Sequence, residues 1–98
     1  MEYVNPKDVP EDAQLIDLRS QMEWDDGHAT IATHMPMEEI PSRYVELDLD
    51  QDIYLICRSA GRSVQVASWL ERNGIDSIVV RGGMIDWEFD ALPMTKGE

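Results

Sequence analysis

Apolar residues along this chain come in short runs separated by turn-forming or charged clusters. Gln14 to Leu18, Ile53 to Ile56 and Ile78 to Val80 are short and rich in β-branched residues, which predicts buried strands. Glu2 to Val4 reads as a short edge strand, and Ala32 to Met35 as a weakly signalled one. Between them the spacing turns helical. Ser20 with Glu23 three residues on has capping-box spacing, opening a short helix that ends at Asp26-Gly27-His28. Pro36 to Tyr44 puts Met37, Ile40 and Tyr44 on one side of a helix, although Pro41 strains it. Ser63 to Asn73 places Val64, Ala67, Trp69 and Leu70 at helical spacing, with Gly74 next as a helix-ending residue. Arg81-Gly82-Gly83 turns the chain from a strand into Met84 to Trp87. Asn5-Pro6 reads as an N-cap followed by proline at the first helical position. Strands alternating with short helices predict an α/β fold with a mostly parallel sheet.

The 98 residues suit one domain spanning 1–98. The net charge of −12 excludes a nucleic-acid partner, because phosphate binding needs a basic surface. No run is long or apolar enough for a membrane span or a signal peptide, and the single cysteine excludes an internal disulfide framework. A reduced, cytoplasmic setting is the simplest expectation. Most of the acidity reads as solvated surface, but six of the eight basic residues are arginine, and two of them flank one short loop.

That loop carries the candidate chemistry. Cys57 closes the run Ile53-Tyr54-Leu55-Ile56 and opens Arg58-Ser59-Ala60-Gly61-Arg62, after which the helix beginning at Ser63 follows. The thiol thus stands at the carboxyl end of a strand, where open α/β sheets place their sites. Inward-turned N–H groups and a helix N-terminus favour an anion there. A core cysteine has no need of Arg58 and Arg62 beside it, so the expectation is a nucleophile in an anion-binding cradle.

Four ordered blocks make the chain resemble the single-domain rhodanese-like sulfurtransferases. They are Leu15-Ile16-Asp17-Leu18-Arg19, Glu23-Trp24-x-x-Gly27-His28, Cys57-Arg58-Ser59-Ala60-Gly61-Arg62-Ser63 and Val80-Arg81-Gly82-Gly83-x-x-x-Trp87. The resemblance implies a rhodanese-like open five-stranded sheet flanked by helices. It implies that Cys57 takes a sulfane sulfur from thiosulfate or polysulfide and passes it, as a persulfide, to cyanide, a thiol or a protein sulfur acceptor. Backbone N–H groups from Arg58, Ser59, Ala60, Gly61, Arg62 and Ser63 would hold the terminal sulfur. Asp17 and Arg19 would steady the loop as an ion pair, and Gly82 and Gly83 would let the backbone pass close to it. Arg81 would add charge at the mouth. No metal or organic cofactor is implied. Related cysteine phosphatases put five residues between cysteine and arginine. Here Arg62 follows after four, and a smaller cradle suits sulfur better than a phosphoryl group.

Two departures stand out. The family often has glycine where Ala60 stands; a positive φ there would be strained, unless the turn moves to Gly61. Ala29-Thr30-Ile31-Ala32 replaces the usual Ile-Pro-Gly-Ala and implies a remodelled turn. His28 is expected to hydrogen-bond backbone, His34 has no metal-ligand pattern around it, and Trp24, Trp69 and Trp87 are expected in the core. The competing readings are a non-catalytic module docking a basic partner through its acidic face, and a thiol redox sensor needing an external partner.

Overall fold

The computed structural model describes residues 1–97. Five strands form one sheet in the order β1(Glu2–Val4), β6(Ile78–Val80), β5(Ile53–Ile56), β2(Gln14–Asp17), β4(Ala32–His34). All four pairings are parallel, with Asp17 opposite Ile56 and Tyr54 opposite Ile78. Along each strand successive side chains alternate between the two faces. Ile16, Ile53, Leu55 and Val79 meet one core cluster, with Ile40, Val66, Ala67 and Leu70 from helices α2(Ile40–Arg43) and α3(Gly61–Arg72). Leu15, Tyr54, Ile56, Ile78 and Val80 meet the other, with Met84 and Trp87 from α4(Gly83–Phe89). Both faces being covered is why these strands read as continuous apolar runs rather than as an alternation.

α1(Gln21–Asp26) starts on the expected capping box: Glu23 N donates to Ser20 Oγ, and Ser20 N donates to Glu23 Oε1. Two expectations need correction. Pro36 to Tyr44 is not one helix but a 3-10 turn at Met37–Glu39, the single α-turn of α2, and a second 3-10 turn at Tyr44–Glu46. Pro41 lacks an N–H and sits in the first turn of α2, the one helical place it fits. Asn5 precedes the 3-10 turn Pro6–Asp8 without a side-chain cap bond. The remodelled turn after Gly27 becomes β3(His28–Ala29), paired antiparallel with β7(Met94–Thr95), an element without a sequence signal. No helix among the described residues is long and apolar enough to cross a membrane.

Candidate active site

Cys57 follows the central strand β5 directly and is 1% exposed. Its loop is held from the far side by the start of α4. Met84 N donates to Cys57 O at 2.8 Å and Ile85 N donates to Arg58 O at 3.1 Å. Gly83 makes this approach possible. It has φ 54°, and a Cβ there would run into the Cys57 and Arg58 carbonyls. With these carbonyls fixed toward α4, the loop amides are left over. Among the described residues, none of the N–H groups from Arg58 to Ser63 donates to a backbone carbonyl. Ser63, on the first turn of α3, is fully buried with its Oγ unpartnered. Backbone donors without a protein acceptor, in the loop that follows one buried sulfur, are what an anion site supplies before its ligand arrives.

Ala60 answers the question its identity raised. It has φ 130° and ψ −13°, and it precedes α3, its carbonyl accepting from Val64 N at 2.9 Å. Gly61, beside it, has no positive φ. The turn has not moved to the glycine, so an alanine carries a backbone conformation that L-residues rarely adopt.

Asp17 ends β2 next to β5, and Arg19 folds back on it. Arg19 Nε lies 3.0 and 3.1 Å from the two carboxylate oxygens and Nη2 lies 2.8 Å from Oδ2. Nη2 also donates to Gly27 O at 2.8 Å, which ties β2 to the end of α1. His34 Nε2 sits 2.7 Å from Arg19 O, and His28 Nδ1 sits 3.0 Å from Trp24 O. The Trp24 ring stacks on His28 at 3.5 Å and faces His34 at 4.8 Å. All three are thus placed by packing and backbone contacts.

The arginines of the loop part company. Arg62 is clamped by Glu23, Nη1 to Oε1 at 2.8 Å and Nη2 to Oε2 at 3.0 Å. This fork holds the Glu23 carboxyl down at about pH 2 and raises Arg62 in turn. Arg58 is exposed and forms no salt bridge among the described residues. It lines a cleft of about 390 Å³ with Arg19, Glu23, Asp26, Met84, Ile85 and Glu88. The partnership of Glu23 with Arg62 was missed in the sequence, where Glu23 registered only as a helix-capping residue. Arg81 is not at this mouth: its guanidinium lies 5.0 Å over the Tyr3 ring on the outer strand. Trp87 packs in the core with its Nε1 donating to Pro93 O at 3.1 Å. A larger groove of about 500 Å³ runs between α2 and α3 past Ile40 and Trp69, away from Cys57 and its loop.

A parallel sheet of this order, with a buried cysteine at the carboxyl end of its central strand, invites comparison with known proteins. The family model for the rhodanese-like domain covers residues 4–90. The chain belongs to the rhodanese-like family. It is 36% identical over 86 residues to the putative sulfurtransferase YtwF of Bacillus subtilis, covering 88% of this chain and 84% of that one. It is 36% identical over 89 residues to a sulfurtransferase of Allochromatium vinosum, covering 90% and 83%. A crystal structure of a rhodanese-like domain protein from Staphylococcus aureus superposes with a TM-score of 0.83 at 29% identity, covering 89% of this chain and 91% of that one. These relatives support a role in sulfur transfer for this rhodanese-like chain.

Proposed function

We propose that this chain is a sulfurtransferase that carries a sulfane sulfur on Cys57 as a persulfide. The observation that carries the reading is that the amides from Arg58 to Ser63, in the loop directly after one buried cysteine, make no backbone hydrogen bond. The Cys57 thiolate attacks the outer sulfur of a donor, and a new S–S bond forms. With thiosulfate, the bond to the SO3 group breaks and its electron pair leaves with sulfite. An acceptor then attacks the outer sulfur of the persulfide and returns Cys57 as thiolate. Cyanide leaves as thiocyanate, and a thiol acceptor leaves as its own persulfide. The loop amides stabilise negative charge on the outer sulfur in both half-reactions, as pre-oriented donors do elsewhere. The near-complete burial of Cys57 suits a terminal sulfur that projects end-on from its donor. Asp17 and Arg19 hold the strand end beside Cys57, and Gly83 brings α4 onto the loop; Gly82, expected to share that role, instead precedes α4 in the left-handed region with the Asp86 side chain against it.

The test is intact mass after incubation of the reduced protein with thiosulfate or polysulfide. The expected product gains one sulfur, loses it to dithiothreitol, and is absent in Cys57→Ser. No gain with either donor would refute the reading and leave the fold as a docking module.

A further inference from the structure

The charge around the cleft is unlike that of a site built for a dianion. Three arginines, Arg19, Arg58 and Arg62, stand among four carboxylates, Asp17, Glu23, Asp26 and Glu88. Asp17 occupies Arg19 and Glu23 occupies Arg62 through two bonds. Arg58 is left to serve an incoming anion, while Asp26 and Glu88 line the same cleft. The chain as a whole adds a net charge of −12. The first negative charge on a donor would meet Arg58, the one of the three arginines without a carboxylate partner among the described residues. A second meets no uncommitted cation.

We propose that Glu23, by neutralising Arg62, selects singly charged sulfane-sulfur donors over dianions such as thiosulfate. This rests on the sulfur-transfer reading above and names the donor class for it. The favoured chemistry is that of a persulfide monoanion, R–S–S⁻. The Cys57 thiolate bonds to its outer sulfur, the donor S–S bond breaks, and R–S⁻ leaves with the electron pair. Two anions enter and two leave. The Arg62 fork holds the Glu23 carboxyl down to about 2, so the neutralisation persists through the neutral range.

Two donors that break the same kind of bond separate charge from everything else. Methanethiosulfonate carries one negative charge and releases methanesulfinate; thiosulfate carries two and releases sulfite. The readout is the second-order rate constant for persulfide formation on Cys57, followed by quenched intact mass. Glu23→Gln keeps the capping box, because glutamine serves at that position, and it uncovers the Arg62 charge. An added unit charge acts twice as strongly on a dianion as on a monoanion. The variant is therefore expected to gain about tenfold with thiosulfate and about threefold with methanethiosulfonate. Adding Arg62→Gln should abolish both gains.

A second measurement needs no variant. In the wild type, added salt should speed the thiosulfate reaction more than the methanethiosulfonate reaction, because it screens a repulsion. Equal factors for the two donors in Glu23→Gln, or no gain, would overturn the proposal, as would a thiosulfate reaction that slows with salt. Failure of both donors to load Cys57 in wild type and variant would sink the sulfur-transfer reading itself, and this inference with it.

Discussion

Ala60→Gly should make this protein more stable, against the usual direction for a helix-flanking glycine. The native φ of 130° at Ala60 lies where a Cβ is strained, at a cost of about 2 kcal/mol. Glycine removes that strain but frees the unfolded chain, giving back about 0.7 kcal/mol. It also deletes a methyl that is half-buried against the cluster of Val66 and Leu70, worth about 0.4 kcal/mol. The balance is about 1 kcal/mol in favour of glycine, or a rise in Tm of about 4 °C for a domain of this size. Urea unfolding should show a higher midpoint with an unchanged slope. The neighbour supplies the control. Gly61 has no positive φ, and a Cβ there meets nothing within 4 Å, so Gly61→Ala should be neutral or stabilising by about 0.5 kcal/mol. Exchanging the two residues should therefore stabilise the loop twice over. If the turn instead sat on Gly61, both signs would reverse. A lowered midpoint for Ala60→Gly together with a lowered one for Gly61→Ala would refute the argument.

Gly83→Ala should cost about 3 kcal/mol or more and slow persulfide formation, because its Cβ meets fixed carbonyls of the Cys57 loop at a positive φ. Gly82→Ala should cost about 1 kcal/mol, since there the obstacle is the movable Asp86 side chain. Thermal melts of the pair distinguish the two. Asp17→Ala leaves the Arg19 guanidinium buried without its counter-charge and should lose about 3–5 kcal/mol in urea unfolding. The Glu23 carboxyl titrates at about 2 when folded instead of 4.5. The unfolded chain therefore binds a proton first as pH falls, and the contribution present above 4.5 is lost through that window. Both side chains are about a third exposed, so the wild type should lose about 1 kcal/mol more than Glu23→Gln between pH 5 and pH 2.

What could be read before folding was whatever one residue's near neighbours decide. Leu15 and Ile16 go to opposite faces because a strand has a period of two, and Ser20 finds Glu23 because a helix turn brings N-cap and N3 together. The crossing from β5 to Cys57 to α3 was visible for the same reason: strand, loop and helix are contiguous. His28–Ala29 and Met94–Thr95 are too short to have a period, so their pairing has no local cause to be read from. Pro41 was visible as an obstacle, but whether it breaks a helix or starts one depends on the segment packed beneath it.

The cradle shows the same division most sharply. Two arginines in one loop of an acidic chain suggest a pocket of positive charge, and adjacency alone supports nothing else. Whether that charge reaches a ligand depends on Glu23, which precedes Arg62 by 39 positions and arrives only when α1 folds against the start of α3. Glu23 also serves locally, as the third residue of its helix, so the cap and the Arg62 fork share one carboxylate. Moving the capping box would therefore change the electrostatics of the cradle, even with every residue of the Cys57 loop left in place. Ser20→Ala offers that test: it should loosen α1, weaken the hold of Glu23 on Arg62, and shift donor preference toward thiosulfate in the same direction as Glu23→Gln, though by less. A Ser20→Ala variant that melts lower while keeping the wild-type ratio of the two donors would show that the ion pair is held by Arg62 alone and owes nothing to the cap.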